Sequence, residues 1–426
     1  MVSSYRRREI NGRELSPDTL MMSYGYDPFL SEGSVKPPIF LTSTFAFRSA
    51  EDGRDFFDYV SGRRVPNSDD GAGLVYSRFN HPNSQIVEER LAVLEGGESA
   101  VVFASGMAAI TASILAFARP GDTIVHSQPL YGGTETLMTG PLAPFGIKTA
   151  GFHDGLDRAS IWAAADQAAG TRVPIIYVET PANPTCTLID FDLIRELADA
   201  IAKKQDMRPV VIVDNTMLGP VYQKPIKHGV DIVVYSLTKY VGGHSDLVAG
   251  GAIGRADLMA PIRKIRSAFG MQLDPHSCWM IGRSLETLHL RMDRATTSAQ
   301  KIASWLNGHS KVERLFSPDF IKDPKYVSAY KRFCTGGGST FSFAIKGGLE
   351  SAFKFLNNLH LFKLAVSLGG TESLISHPAS TTHSGVKKEI RDAVGVTDSL
   401  IRISIGLEHP DDLIADLEGA FKQLPG

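Results

Sequence analysis

Lys239 stands where a lysine is costly. It follows the apolar run at 231–235, sits between hydroxyls and glycines, and has no acid beside it until Asp246. A lysine held out of water shifts toward its neutral amine, and a neutral amine attacks carbonyls to form Schiff bases. The flanking Ser236 and Thr238 supply hydroxyls able to bind a phosphate. A snorkelling surface lysine is the plain alternative, but it leaves those neighbours unexplained.

Other residues with chemistry share this placement at the ends of apolar runs. In "VVIVDNTMLGP", Asp214 closes a run. At a strand's C-terminal end it lies on the ligand side of an open sheet, although a carboxylate there equally caps helices. "VVFASGMAAI" passes through Ser105, Gly106 and Met107 into an apolar helix. Gly106 allows close backbone approach, and free amides at a helix start hold anions such as phosphate. The same turn also serves as an ordinary strand-to-helix connection, and it is not the GxGxxG dinucleotide fingerprint. In "ETPANPT" two prolines aim Asn183, and in "LYGGTETL" two glycines leave the ring face of Tyr131 uncovered. Arg402, inside "RISIG", needs a partner, for which a bidentate carboxylate is usual, in a structural salt bridge or from a ligand. Aldehyde-reactive lysine, phosphate cradle, carboxylate and aromatic together are what pyridoxal phosphate requires.

The elements that must carry these residues follow from hydrophobic patterning. Short β-rich runs at 100–104, 123–126, 148–152, 174–178, 209–213 and 231–235 are separated mostly by helical patterns. Runs this apolar suit strands buried on both faces of a parallel sheet. "AGGAIG" at 249–254 reads as one more strand. Residues 1–75 read as a poorly periodic arm, 76–275 as the α/β domain, and 276–426 as a smaller α+β domain. In the last, Ile281, Leu285, Leu288, Met292 and Ala295 form one stripe of a long helix. "STFSFAIK" and "LIRISIG" read as strands, and Leu413, Leu417 and Phe421 as the buried face of a tail helix begun at Pro410.

Composition sets outer bounds. The 426 residues are 43% hydrophobic and 21% charged, with a net charge of −2, which argues against nucleic-acid or membrane-surface binding. Three cysteines without CxxC spacing predict neither a disulfide framework nor a metal site. "MVSSYRRREINGREL" has no apolar stretch of the secretory kind, and the most apolar window, 107–118, is too short to span a bilayer. The expected location is the cytoplasm.

At the residues quoted, and above all in "DIVVYSLTKYVGGHS", the chain resembles the Cys/Met-metabolism family of pyridoxal-phosphate enzymes from about Lys36 to its C-terminus. That family includes cystathionine γ-synthase, cystathionine lyases, methionine γ-lyase and homoserine-ester sulfhydrylases. The resemblance implies fold type I, with Lys239 holding the cofactor aldehyde and later moving the Cα proton. It implies that Asp214 pairs with the pyridine nitrogen, Tyr131 stacks on the ring, and Asn183 meets the phenolic oxygen. Gly106, Met107, Ser236 and Thr238 would hold the phosphate, joined by Tyr76 and Arg78 of "YSRFNHPN" acting on a neighbouring subunit's cofactor. This implies a site shared across a dimer within a homotetramer, the 1–75 arm reaching the neighbour. Arg402 and Ser367 would bind the substrate's α-carboxylate, and Tyr131 would donate a proton to the leaving group.

The implied reaction is γ-elimination or γ-replacement on a homoserine- or methionine-type amino acid, with cystathionine synthesis or cleavage as the alternative. Departures bear on that choice. Val366-Ser367 replaces the Glu-Ser of many cystathionine enzymes. Gly133 stands where methionine γ-lyases carry a cysteine, and Arg266-Ser267 where they carry Lys-Asp. The stretch from Phe56 to Gly73 is longer than in common members. A cofactor-free Schiff-base aldolase, a dinucleotide oxidoreductase and a non-catalytic cofactor-binding relative are the rival classes.

Overall fold

The computed structural model describes residues 4–64 and 73–425. The expected strand-helix alternation folds into a seven-stranded sheet whose strands are β3 (Ser99–Phe103), β4 (Thr123–Ser127), β5 (Lys148–Phe152), β6 (Ile175–Glu179), β7 (Val210–Asp214), β8 (Ile232–Tyr235) and β9 (Gly250–Gly254), numbered after a two-residue hairpin, β1 (Glu9–Ile10) and β2 (Arg13–Glu14). Their spatial order is β3-β9-β8-β7-β6-β4-β5. Only β9 runs against the rest, pairing antiparallel with both β3 and β8. Every residue of β4, β6, β8 and β9 is buried, because helices cover both faces.

Within the arm the structure departs from the aperiodic reading. It holds helices α1 (Pro17–Ser23) and α2 (Ala50–Val60), each started by a serine, Ser16 or Ser49, that accepts an amide of its first turn. Cap chemistry marks helices this short better than periodicity does. The next helix, α3 (Pro82–Glu95), leads into β3, and α4 (Gly106–Phe117), α5 (Gly132–Thr139), α6 (Arg158–Gln167) and α7 (Phe191–Gln205) are the crossovers. The short α8 (Gly219–Tyr222) follows β7, and α9 (Ala256–Phe269) follows β9.

The stripe from Ile281 to Ala295 belongs to two helices rather than one, α10 (Pro275–Leu285) and α11 (Leu288–Asn307), parted at Glu286 and Thr287. Ile281, Leu285, Leu288 and Met292 all enter one core, so the periodicity runs through a break that no glycine or proline marks. Beyond lies a second sheet of β10 (Val312–Phe316), β11 (Thr340–Ile345), β12 (Lys363–Leu364), β13 (Leu374–Ser376) and β14 (Leu400–Ser404), in the order β10-β11-β14-β13-β12. The tail helix, Pro410–Lys422, buries Leu413, Leu417 and Phe421 against it. All three cysteines are free thiols, and no helix among the described residues is long and apolar enough to cross a membrane.

One buried acid makes stability pH-dependent. Glu95, at the end of α3, is 1% exposed and accepts the hydroxyl of Tyr235. Burial pushes its carboxyl up to about 8 from an ordinary 4.5. The folded state therefore holds a proton that the unfolded chain gives up, so this stabilisation is full below the ordinary value and fades as pH rises to the folded one. Glu95→Gln keeps an acceptor for Tyr235 and cannot ionise. Its Tm is expected to exceed that of the unmodified protein by a few degrees at about pH 8.5, and by much less near pH 5. Equal gains at both pH values would show that Glu95 ionises freely in the fold.

Candidate active site

The C-terminal ends of β6, β7 and β8 bring a set of polar groups to one side of the sheet, the usual ligand side of an open parallel sheet. Asp214 ends β7 and is 6% exposed. Its Oδ1 accepts the Thr216 hydroxyl at 2.6 Å and the Thr216 amide at 3.0 Å, so it caps a turn and not a helix. Among the described residues it has no ion-pair partner, and burial raises its carboxyl above the usual range. A buried acid without a cation is unfinished electrostatically, and a protonated ring nitrogen completes it. Glu179, in register on β6, accepts the Tyr131 amide at 2.6 Å and the Asn183 amide at 2.8 Å. Burial and the neighbouring Asp214 push Glu179 well up, and the two amides oppose that push.

A second group forms the anion cradle. Ser105 caps α4 by accepting the Ala108 amide at 3.0 Å, which leaves the Gly106 and Met107 amides at the helix start without intrahelical partners. A Cβ on Gly106 would lie 2.9 Å from that of Ser236, and one on Gly250 would reach 2.1 Å from the Ser105 carbonyl. Glycine at both positions lets three backbone segments converge. The Ser236 amide donates to Thr216 Oγ1 at 2.9 Å, which ties the cradle to Asp214. Among the described residues the Ser236 hydroxyl has no hydrogen bond of its own. Thr238 differs: its hydroxyl and its amide both donate to the Ala249 carbonyl, at 3.1 and 3.2 Å. Ser236 is thus the hydroxyl with a donor to spare.

Lys239 follows on the turn after β8. Its Nζ donates to Ser367 Oγ at 2.9 Å, and burial together with the nearby Arg402 lowers its ammonium to about 8. Arg402, 2% exposed on β14, donates to Asn183 Oδ1 at 3.2 Å and to the carbonyls of Val366 and Ser367 at 3.0 and 2.9 Å. No protein carboxylate pairs with it among the described residues, and its Nε is unpartnered. That removes the structural salt bridge and leaves a buried guanidinium able to take a ligand's carboxylate. Tyr131 opens α5, 40% exposed. Its ring lies over Gly133, where a Cβ would come within 2.6 Å of Tyr131 Cε1 and 3.1 Å of Met107 Sδ.

Contacts therefore link Lys239, Ser367, Arg402, Asn183, Tyr131, Met107, Gly106, Ser236 and Asp214 in one place. Tyr76 and Arg78 are elsewhere. Tyr76 is 40% exposed, and Arg78 donates to the Ser267 carbonyl at 2.9 Å beside a separate cavity of about 780 Å³. Sequence reasoning passed over Glu179 and Thr216. The position of Thr216, two residues after a strand-ending acid, is a readable signal; the role of Glu179 depends on its register with Asp214.

The sequence pattern of the Cys/Met metabolism PLP-dependent enzymes runs through residues 18–422. The chain belongs to this family. An L-methionine gamma-lyase of Fusobacterium nucleatum subsp. polymorphum is 41% identical over 394 residues, covering 92% of this chain and 94% of that protein. The structure of cystathionine gamma synthase from Xanthomonas oryzae pv. oryzae, in complex with aminoacrylate and cysteine, superposes with a TM-score of 0.85 at 32% identity, covering 96% of this chain and 99% of that one. Cystathionine gamma-lyase from Lactobacillus plantarum, complexed with L-serine, gives 0.84 at 33% identity with the same coverage. As a member of this family the protein is a pyridoxal-phosphate enzyme of fold type I, and the free helix amides, the unpaired Asp214 and the depressed lysine fit that cofactor.

Proposed function

We propose that this protein cleaves or exchanges the γ-substituent of a homoserine- or methionine-type amino acid. The observation that carries the reading is the junction of Lys239, Ser367 and Arg402, which sets a part-neutral amine beside an unpaired buried guanidinium. Arg402 and Ser367 hold the substrate's α-carboxylate, which places its Cα near Lys239 Nζ. Bound pyridoxal phosphate supplies an electron sink for the pair left at Cα. Asp214 would keep the ring nitrogen charged, the Gly106 and Met107 amides with the Ser236 hydroxyl would grip the phosphate, and Asn183 would meet the phenolic oxygen; Thr238, expected from the resemblance to join that grip, is spent on Ala249. Lys239 takes the Cα proton. A second proton then leaves Cβ, its bonding pair expels the γ-group, and the half-exposed phenol of Tyr131 gives that group a proton.

Tyr76 and Arg78, which have no hydrogen bond or ion pair with the residues around Lys239 among the described residues, serve the phosphate of a second copy, with the 1–75 arm between 76–275 of one subunit and its neighbour. A homotetramer built of such dimers, in the cytoplasm, completes this reading.

Val366 selects the γ-group. Its carbonyl is fixed by Arg402 while its side chain is 56% exposed at the site mouth. Valine offers no charge to the distal ammonium of cystathionine, so kcat/KM is expected to be higher for methionine or O-acetylhomoserine than for cystathionine. A glutamate there gains a charged hydrogen bond worth about 1.5–3 kcal/mol when buried, and exposure holds the gain near 10-fold. Mass-spectrometric product screening with each substrate, with and without sulfide or cysteine, measures both points in the unmodified and Val366→Glu proteins. If the unmodified protein handles cystathionine best, the cystathionine alternative replaces this reading.

A further inference from the structure

The ring of Tyr131 has no hydrogen bond of its own among the described residues, so its direction is set by its backbone and by the floor that Gly133 leaves open. That backbone is held at one peptide, where an acid takes the N–H and a buried imidazole lies beside the carbonyl. The N–H of the Leu130–Tyr131 peptide donates to Glu179 Oε2 at 2.6 Å, and its carbonyl meets the imidazole of His383. Both acceptors of Glu179 are spent on amides, the other being that of Asn183. His383 is 2% exposed, and the segment bearing it is pressed onto the start of α5: a Cβ on Gly132 would lie 2.1 Å from the Thr382 carbonyl.

The imidazole has one N–H to place. Burial, Arg402 and Arg391 oppose its charged form and push it down to about 4, so it is neutral at neutral pH. Nδ1 bonds the Thr382 hydroxyl at 2.9 Å, while Nε2 is buried without a completed hydrogen bond. With Nδ1 accepting from Thr382, the N–H lies on Nε2, whose backbone neighbour is the Leu130 carbonyl.

We propose that Glu179 and His383 clamp the Leu130–Tyr131 peptide and so fix the ring of Tyr131. They are positioning residues that act on the reaction only through Tyr131. The inference rests on the reading of Tyr131 as the ring-stacking, proton-donating residue.

Two measurements test it. In the cofactor-free protein, amide exchange across residues 130–139 is expected to quicken about 10-fold in His383→Leu, the effect of losing one buried hydrogen bond, and to stay near the unmodified rate in His383→Gln, whose amide reaches the same carbonyl. In the loaded enzyme, His383→Leu is expected to lower kcat/KM about 10-fold, and that loss should vanish in a Tyr131→Ala background. Unchanged exchange, or losses that add across the two backgrounds, overturns the clamp. If His383→Leu does not fold, Glu179→Gln decides by the same cycle, since glutamine can accept only one of the two amides. Full activity in Tyr131→Ala defeats the functional reading of Tyr131, while the exchange result still judges the clamp.

Discussion

Lys239→Ala is expected to lose turnover by several orders of magnitude and to lose no thermal stability. In the proposed function the amine is at once the covalent tether for the cofactor and the carrier of the Cα proton, and removing a group that serves in two steps costs more than either step alone. Stability is spared for a separate reason. Among the described residues the side chain has a single hydrogen bond, to Ser367, and its ammonium is already depressed to about 8 by burial and Arg402. Alanine relieves that unfavourable burial at the cost of a small void. Turnover and Tm measured side by side check both halves. Retained turnover would place the chemistry on another amine, and a collapsed Tm would make Lys239 a structural residue.

The second large effect is a recovery. Arg78→Ala and Lys239→Ala proteins are each expected to be nearly inactive, because in the proposed dimer with shared sites each spoils every site. Mixed and reassembled, half of the dimers are hybrids, and each hybrid holds one site with both residues intact, so about a quarter of the unmodified activity should return. The placement of Arg78 motivates this: it rests on Phe79 and donates to Ser267, and among the described residues it has no hydrogen bond or ion pair with the group around Lys239. Subunit exchange is verified by native mass spectrometry. Exchange without recovery means that each site lies within one chain.

What the sequence discloses is set by which forces act locally. The runs ending at Asp214, Glu179 and Tyr235 are strands buried on both faces, so apolar content alone exposes them, and the sheet then delivers their terminal residues to one side. Lys239, Asp214 and the Ser105–Met107 turn are legible because each breaks the pattern of its own run. Properties fixed by partners are not legible. The direction of β9 shows only in its antiparallel pairing with β3 and β8, and the end of α10 in a turn at Glu286 that the hydrophobic stripe crosses unbroken. The same holds for hydroxyls of one type: Ser236 and Thr238 look equivalent in "YSLTK", yet only Thr238 finds the Ala249 carbonyl. Glu179 carries no signal of its own in the sequence; its register with Asp214 shows it holding two amides of the site.

Borohydride reduction of the cofactor-loaded protein, followed by digestion and peptide mass mapping, tests the central claim most directly, because it freezes the covalent link wherever it is. The predicted result is one pyridoxyl group per chain, on the peptide containing Lys239, and none when the loaded protein is first displaced by excess amino-acid substrate. A pyridoxyl group on any other lysine, or a protein that binds the cofactor and carries no reducible link, would contradict it.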